Sequence, residues 1–293
     1  MHDGQNLFDN QTSFAGEWKV DEALNSLASQ GEKVPIVIGI ENGANYRIGE
    51  YTPWLNPDYG GGDGEKYMQF IVETLKPYVD QHYRTLPDRE NTGIMGSSLG
   101  GLISHFGALR YQSVFGKAGI FSPSYWFSDS VWKFTHDAGK QNDMRIYQLC
   151  GTDESSEIDV PADVYRMNDS LVKLGFAQEN ISNKVVTGGK HNEKLWSEAF
   201  SEAYQWLFYD YITSVTDPVQ DVGITCYPNP VTNELTFKST RKIHFDSLVI
   251  MDINGKVVKS IKAPTNNKMD VHNLKSGSYI LRCTAGDVRL EGK

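Results

Sequence analysis

The sequence predicts an α/β fold with a mostly parallel β-sheet, followed by a small all-β domain. Between residues 18 and 212, short apolar runs alternate with segments whose apolar residues recur at helical spacing. After Ser214 this alternation stops, and short strand-like segments follow without a convincing helix. We therefore place an α/β domain at 1–213, a linker at 214–223 and a small β-sandwich at 224–293.

The predicted elements of the first domain follow one another as in a sheet whose strands are joined by helical crossovers. The predicted strands are the short apolar runs at 34–40, 92–95, 117–121, 144–150 and 181–186. The predicted helices are the amphipathic segments at 18–27, 66–83, 99–110, 161–174 and 193–212. Pro77 lies inside the second helix and is expected to kink it. Ligands bind at the carboxyl ends of such strands, so functional side chains are expected there.

A glycine-rich turn joins the strand at 92–95 to the helix at 99–110. Its sequence, Gly96-Ser97-Ser98-Leu99-Gly100-Gly101, has the Gly-x-Ser-x-Gly spacing of a nucleophile elbow. Such a turn lifts Ser98 Oγ clear of the sheet and directs the Leu99 N–H and the helix N-terminus at the same point. The alternative is an ordinary strand–helix turn that contains a serine without a catalytic role.

Two further polar segments follow predicted strand ends. Asp153 and Glu154 come after the strand at 144–150, and His191 comes after the next strand. A nucleophile, a carboxylate and an imidazole are thus expected at one edge of the sheet. Their order along the chain predicts Ser98 as nucleophile and His191 as its base, with Asp153 or Glu154 orienting the imidazole. The alternative for His191 is a solvated loop histidine.

Composition excludes several classes of function. The net charge of −9 disfavours nucleic acid or an anionic membrane as the main partner, and no apolar run is long enough to span a bilayer. The cysteines Cys150, Cys226 and Cys283 lack metal-ligand spacing; Cys226 and Cys283 either pair with each other or stay unpaired. His2 has no second cluster of ligands, so we expect neither a metal nor a cofactor.

Five motifs of the first domain occur in a recognisable order. They are His2-Asp3-Gly4-Gln5-Asn6-Leu7-Phe8, Glu41-Asn42-Gly43 through Arg47 with Glu50-Tyr51-Thr52-Pro53-Trp54, Gly96-Ser97-Ser98-Leu99-Gly100-Gly101, Gly151-Thr152-Asp153-Glu154 and Gly189-Lys190-His191. With them, residues 1–213 resemble the esterase branch of the α/β-hydrolases, which includes feruloyl, acetylxylan and siderophore esterases. The resemblance implies an α/β-hydrolase fold and a metal-independent serine esterase that acts through an acyl-enzyme. The family pattern Gly-Thr-x-Asp/Glu favours Glu154 over Asp153 as the acid.

An oxyanion hole needs two N–H donors. Leu99 is expected to supply one, and the His2-Asp3-Gly4-Gln5 loop the other, through Gln5 or else Gly4. Tyr125 and Trp126 belong to an aromatic loop after a predicted strand, where they either line an acyl or sugar pocket or simply pack.

The long polar loop at 41–63 contains Arg47, Glu50 and Tyr51. These residues are expected either to form a buried Arg–Glu pair that anchors the loop or to contact substrate. The substrate class that the family suggests is esterified plant polysaccharide carrying acetyl or feruloyl groups, with a triscatecholate siderophore ester as the alternative. A catalytically silent carbohydrate-binding or structural protein on an esterase scaffold is an alternative of another class.

The C-terminal region carries three short motifs and a hairpin signal. The motifs are Tyr227-Pro228-Asn229-Pro230, Asp252-Ile253-Asn254-Gly255-Lys256 and Leu274-Lys275-Ser276-Gly277-Ser278-Tyr279. Asn254-Gly255 predicts a hairpin between the strands at 248–253 and 256–261. Residues 224–293 resemble the sorting domain of type IX secretion substrates, which implies export to the cell surface or the medium through the type IX machinery.

The first residues lead to an expectation about the gene. Met1-His2-Asp3-Gly4 has neither the basic nor the apolar region of a signal peptide. In the resembled family this loop follows an internal strand, so we expect upstream coding sequence that holds a signal peptide and the first strands. Without the missing strand, the strands at 34–40 and 92–96 are expected to face each other across a gap with unpaired edges.

Overall fold

The computed structural model divides the chain into two compact units, Met1–Tyr211 and Ile212–Lys293. It describes residues 1–13, 15–209, 224–239, 247–252, 256–262, 268–285 and 288–292. The predicted linker at 214–223 and the predicted Asn254-Gly255 turn lie outside the described residues, as do the side chains of Cys226 and Cys283.

The first unit is built from a parallel sheet and the helices that flank it. The helices are α1 (Val20–Ser29), α2 (Arg47–Tyr51), α3 (Gly64–Gln69), α4 (Lys76–His82), α5 (Leu99–Arg110), α6 (Ser130–Ala138), α7 (Val160–Lys173) and α8 (Glu193–Phe208). The strands are β1 (Leu55–Asn56), β2 (Gly60–Gly61), β3 (Gly93–Ser97), β4 (Lys117–Phe121), β5 (Arg145–Gly151) and β6 (Ile181–Val186). Strands β3 to β6 pair in parallel in that order, whereas β1 and β2 form a small antiparallel hairpin. The predicted α/β class is confirmed.

Alternate residues of the sheet face two separate hydrophobic layers. Ile94 and Ile120 pack on one face with apolar side chains of α3, α5 and α7. Met95 and Phe121, their neighbours in sequence, pack on the other face with α1 and α8. Burial on both faces explains why these strands are continuous apolar runs in the sequence.

The predicted strand at 34–40 does not form. Only Ile40 makes a β-bridge, which is parallel and pairs it with His2. Val34 and Ile36 are 44% and 50% exposed, although their side chains are those of a buried strand. The prediction of a strand at 34–40 is therefore wrong, because the β-branched residues lack a partner strand along most of the segment.

Met1 and His2 lie between this segment and β3. The N–H of His2 donates to Met95 O at 3.0 Å, and the N–H of Ile40 donates to Met1 O at 2.9 Å. The gap expected between 34–40 and β3 is thus occupied by these two residues. Met1 and His2 pair with only the last part of the 34–40 segment.

The predicted helix at 66–83 consists of three consecutive segments. A π-helical stretch at Phe70–Leu75 joins α3 to α4, and Pro77 stands at the beginning of α4. Proline lacks an N–H and its ring crowds the carbonyl four residues earlier, so the helix widens in the turn before it. The interruption expected at Pro77 is present as this π-helical turn.

A buried histidine, His105, lies on α5 among uncharged partners. Its Nε2 pairs with Thr135 Oγ1 at 2.8 Å, and its ring meets Tyr125 edge to face. Burial lowers the pKa of His105 from 6.5 to about 3. The imidazole is therefore neutral in the folded protein at physiological pH.

The second unit is a sandwich of two antiparallel sheets. Its strands are β7 (Ile224–Tyr227), β8 (Glu234–Ser239), β9 (Ser247–Asp252), β10 (Val257–Lys262), β11 (Lys268–Asp270), β12 (Tyr279–Ala285) and β13 (Val288–Gly292). One sheet has the order β11-β8-β7 and the other β10-β9-β12-β13. Phe237 and Met269 share an apolar core with Leu248 and Leu281 of the second sheet. This architecture agrees with the predicted all-β domain, and β9 and β10 pair on either side of the predicted turn.

Gly151, the last residue of β5, packs against Gly189, two residues before His191. An added Cβ at this position would lie 2.1 Å from Gly189 O, so Gly151→Ala must push β5 and the 189–191 segment apart. We predict that this variant loses about 3 kcal/mol of unfolding free energy in a urea titration. Gly188→Ala is the control: its φ of +73° is unfavourable, but the position is open, so the loss should be about 1 kcal/mol. Equal losses would show that the contact with Gly189 is unimportant.

Candidate active site

Ser98 stands in the turn between β3 and α5 with an unusual backbone conformation. Its φ of 59° and ψ of −123° lie outside the regions that L-residues favour. The N–H of Ser98 donates to Phe121 O at 2.9 Å, and its carbonyl accepts from Leu102 N–H at 3.0 Å. Such strain costs on the order of 1–3 kcal/mol and persists only where the surrounding structure imposes it. The geometry is that of a nucleophile elbow.

Gly96 allows the turn to be this tight. An added Cβ at this position would lie 2.8 Å from Gly100 O and 2.9 Å from Cδ2 of His2. Because the first of these atoms is backbone, a side chain at Gly96 would force the turn to open. The first glycine of the motif thus permits the close approach of both α5 and the N-terminal loop.

The carboxylate of Glu154 lies beside His191. Its Oε2 is 3.0 Å from His191 Nδ1, while its Oε1 accepts from Gly151 N–H at 2.7 Å and from Ser122 Oγ at 2.5 Å. The Glu154 side chain is 1% exposed and that of His191 35% exposed. A buried carboxylate with three hydrogen bonds therefore fixes one nitrogen of a ring that is itself open to solvent.

Asp153, the other candidate acid, points elsewhere. Its Oδ1 accepts from Thr152 Oγ1 at 2.9 Å, and its N–H donates to Gly189 O at 2.9 Å. The structure thus brings Glu154, and not Asp153, to His191.

Ser98 Oγ is engaged by another serine in this structure. It lies 3.3 Å from Ser124 Oγ, a hydrogen bond in which either hydroxyl can be the donor. Within the described part of the chain, no hydrogen bond joins Ser98 to His191. Ser98 follows β3, Glu154 follows β5 and His191 follows β6, so all three lie beyond the carboxyl ends of strands of one sheet.

The two candidate oxyanion donors of the N-terminal loop differ in their partners. The N–H of Gly4 donates to Ile40 O at 2.7 Å and is therefore occupied. Among the described residues, the N–H groups of Gln5 and Leu99 have no hydrogen-bond acceptor. Of Gln5 and Gly4, only Gln5 is thus available as a second donor.

Asp3 holds the N-terminal loop in place. Its carboxylate accepts two hydrogen bonds from Arg47, 2.7 Å from Nε and 2.8 Å from Nη2, and a third from Asn42 Nδ2 at 2.7 Å. Its N–H donates to Tyr51 Oη at 2.8 Å. Burial by itself lowers the pKa of Arg47, but the hydrogen bonds and charge of Asp3 raise it overall. The guanidinium and the carboxylate thus form a charge-assisted bidentate pair.

The prediction of an ion pair between Arg47 and Glu50 within the 41–63 loop is wrong about the partner of Arg47. Arg47 pairs with Asp3 rather than with Glu50, whose Oε2 accepts from Gly43 N–H at 2.8 Å. The loop is thus anchored by a contact with the N-terminal motif, at a distance in sequence that the local pattern does not reveal.

His2 is buried and belongs to the same polar cluster. Its Nδ1 lies 2.8 Å from Tyr67 Oη. Burial, followed by nearby positive charge including Arg47, holds the pKa of His2 well below its ordinary value. A neutral imidazole under the elbow supports the loop without adding charge next to Ser98.

Tyr125 and Trp126, the two predicted substrate contacts of the aromatic loop, differ in their exposure to solvent. Tyr125 is completely buried and its hydroxyl donates to Gln148 Oε1 at 2.8 Å, which does not agree with a substrate contact. Its ring fills the apolar core, and its polar atom is already satisfied. Trp126 is 43% exposed and meets Tyr59, which is 57% exposed, with ring centroids 5.9 Å apart. Only Trp126 of the pair is accessible to a ligand.

Two residues of the site were missed in the sequence, Ser122 and Trp196. Ser122 contacts Glu154, and Trp196 Nε1 donates to Ser122 Oγ at 2.7 Å. The available signal was a serine directly after the strand at 117–121, at the edge where functional side chains collect. Trp196 has no such signal, because its helical spacing is that of a core residue.

Three acidic side chains of the described ranges lie close enough together to share a metal ion. The side chains of Glu17, Asp21 and Glu22 bring carboxylate oxygens within 4.8 Å of one another at the beginning of α1. This group includes none of the predicted site residues. Across the described residues, every helix is too short or too polar to cross a bilayer.

The chain is similar in sequence and in fold to several known proteins. YbbA of Bacillus subtilis (strain 168), an uncharacterized protein, is 29% identical over 221 residues, which are 71% of this chain and 84% of the relative. An endo-1,4-beta-xylanase/feruloyl esterase of Xylanibacter ruminicola is 22% identical over 205 residues, which are 68% of this chain and 25% of the relative. The crystal structure of the BES protein from Bacillus cereus shares the fold, with a TM-score of 0.57 at 19% identity over 71% of this chain and 81% of that chain.

Family models match both units. Residues 225–293 match the model described as "Secretion system C-terminal sorting domain". Residues 1–207, more than half of the chain, match the model described as "Putative esterase". The chain therefore belongs to this esterase family and ends in a secretion sorting domain.

Proposed function

We propose that the protein is a secreted or cell-surface serine esterase that hydrolyses carboxylic esters through an acyl-enzyme. The observation that carries the proposal is the hydrogen bond between buried Glu154 and His191, at the sheet edge where the strained elbow presents Ser98. This combination supports general-base activation of a serine hydroxyl. The secretion sorting domain supports the proposed location.

The proposed reaction begins when Ser98 Oγ leaves Ser124 and donates its hydrogen bond to His191 Nε2. His191 takes the proton as Ser98 Oγ attacks the ester carbonyl carbon, and Glu154 stabilises the imidazolium through Nδ1. His191 then protonates the leaving alcohol, which departs and leaves Ser98 acylated. A water molecule, deprotonated by His191, attacks the acyl carbon, and the acid is released as Ser98 recovers its proton.

Leu99 and Gln5 are the proposed oxyanion donors. Both N–H groups lack an acceptor among the described residues, and both adjoin the turn that carries Ser98, one in α5 and one in the loop that lies against Gly96 and Gly100. Two such donors stabilise the negative oxygen of the tetrahedral intermediate, and loss of one typically costs about 100-fold or more in rate.

Acetyl or feruloyl esters of carbohydrate are the proposed substrate class. One relative is named as a xylanase and feruloyl esterase, and the exposed pair of Trp126 and Tyr59 offers aromatic faces suited to a sugar or phenolic ring. Initial rates on acetylxylan, methyl ferulate, a triscatecholate ester and p-nitrophenyl acetate test this choice. Preference for the triscatecholate would favour a siderophore esterase, and inactivity on all four would favour a silent binding protein.

We predict that Ser98→Ala removes ester hydrolysis while leaving the fold intact. The variant should lose about four orders of magnitude in kcat on p-nitrophenyl acetate, because no other group attacks the carbonyl. Circular dichroism and a melting curve check the fold, and labelling of the parent protein with a serine-reactive phosphonate should be absent in the variant. Retention of more than a few percent of activity would place the nucleophile elsewhere.

We predict that Glu154→Gln lowers kcat far more than Asp153→Asn. An amide at 154 cannot stabilise the imidazolium, and about 10⁴-fold is the typical cost of such a change. The Asp153 variant is the matched control, since this carboxylate makes no contact with His191. The reverse ranking would assign the acid to Asp153, and two small effects would place it elsewhere.

We predict that residues 224–293 are dispensable for hydrolysis but needed for export through a type IX system. Activity in lysate and surface display in a type IX-competent host are compared with and without this region. Lysate activity should persist after the deletion, whereas display should disappear. Collapse of the lysate activity would instead make the β-domain part of the enzyme.

A further inference from the structure

Ser122 is buried, has a strained backbone and contacts the carboxylate of Glu154, the proposed acid. It follows β4, is 1% exposed, and has a φ of 42°, which few residues other than glycine adopt. Its N–H donates to Leu149 O at 2.6 Å, and Pro123 follows it, so the backbone is held on both sides. Backbone strain of this kind, retained at a polar residue beside a reactive centre, points to a role for the side chain.

The hydrogen bonds of Ser122 have only one consistent direction. Trp196 Nε1 carries a hydrogen and has no lone pair to accept with, so it must donate to Ser122 Oγ across the 2.7 Å contact. The single hydroxyl proton of Ser122 is then free only for Glu154 Oε1, 2.5 Å away. The indole thus fixes the orientation of the hydroxyl, and the hydroxyl donates to the carboxylate.

This contact determines which oxygen of Glu154 meets the imidazole. Oε1 is occupied by Ser122 and by Gly151 N–H, so Oε2 is left for His191. A carboxylate held only by Gly151 would be free to rotate and to present either oxygen. Two donors on Oε1 therefore set the orientation of the carboxylate toward Nδ1 of His191.

Trp196 also contacts the imidazole itself. Its ring meets that of His191 edge to face, with centroids 5.3 Å apart and an interplanar angle of 85°. Trp196 is 5% exposed and packs in the layer formed by α1 and α8. One rigid side chain thus touches both the support of the acid and the ring of the base.

We propose that Ser122 and Trp196 are positioning residues for the reaction, which hold the Glu154 carboxylate and the His191 ring in register with each other. The inference rests on the proposed function, in which Glu154 and His191 act together. Both residues are buried, so neither is placed to contact a substrate. Their loss should therefore lower kcat while KM stays nearly constant.

Three variants test the inference on p-nitrophenyl acetate. Ser122→Ala removes the hydroxyl and keeps the strain, Ser122→Gly removes both, and Trp196→Phe keeps a ring against His191 but removes the N–H. The two Ser122 variants should lower kcat by about 10- to 100-fold, the usual effect of losing a hydrogen bond to a charged group. Trp196→Phe loses a hydrogen bond to a neutral hydroxyl and should lower kcat by about 3- to 10-fold. KM should stay within about twofold of the parent in all three variants. Ser122→Gly should melt at a higher temperature than Ser122→Ala and yet be equally slow.

A second readout does not depend on turnover. The proton between His191 Nδ1 and Glu154 is expected to give a downfield resonance in the ¹H NMR spectrum, which should shift or broaden in all three variants. Thr135→Val is the matched control, because it removes a buried hydroxyl that contacts a different histidine, His105. This control should leave both the resonance and kcat unchanged within about twofold.

Two results would overturn the positioning role. One is kcat near the parent value in both Ser122 variants, and the other is activity that simply follows melting temperature across the set. Either result leaves the proposed function standing as long as Ser98→Ala is inactive. If the parent protein hydrolyses no ester, the proposed function fails, and an unchanged His191 resonance in the Ser122 variants would then reject the positioning role as well.

Discussion

The bidentate pair between Asp3 and Arg47 holds together the parts of the molecule on which the candidate site depends. It joins the N-terminal loop to α2, while Asn42 and Tyr51 complete the hydrogen bonds of Asp3. The Asp3 side chain is 10% exposed and that of Arg47 28%, so removal of one partner would leave the other charge largely buried, at a cost of about 3 kcal/mol. The same loop carries Gln5 and lies against the elbow. The geometry beside Ser98 thus depends on an ion pair between two residues that are 44 positions apart in the sequence.

The parallel sheet explains why distant residues of the chain meet at one edge. Strands β3, β4, β5 and β6 all end on that side, so each contributes the residue that follows it. Beyond β4, Ser122 bonds to Glu154 from β5, and Glu154 bonds to His191 from β6. Side chains from neighbouring strand ends thus form a continuous row of hydrogen bonds.

Much of this arrangement could be predicted from local sequence. The elbow is recognisable because Gly-x-Ser-x-Gly stands between an apolar run and a helix, the context that such a turn needs. The alternation of elements predicts the parallel sheet. Two features were not predictable from the residues alone. The 34–40 segment has strand composition but lacks a partner along most of its length. The partner of Arg47 is set by tertiary structure, so the nearby Glu50 was the wrong choice.

For Tyr125, too, the sequence did not predict where the side chain points. An aromatic residue after a strand is equally suited to a pocket or to the core, and only the position of Gln148 decides between them. The choice between Glu154 and Asp153 was similar, because adjacent carboxylates at a strand end point in different directions. Sequence motifs thus identified the edge of the sheet, whereas side-chain direction needed the three-dimensional structure.

The two buried histidines give the first unit a defined response to acid. The unfolded chain protonates them near pH 6.5, whereas burial lowers the pKa of His105 to about 3 and that of His2 well below its ordinary range. Because the unfolded state then binds more protons than the folded state, their contribution to stability is complete above pH 6.5. As the solution is acidified below pH 6.5, the free energy of unfolding falls by up to about 1.4 kcal/mol per pH unit for each of these histidines. One of these residues, His2, lies under the loop that carries Gln5, so acidification weakens the support of the site together with the core.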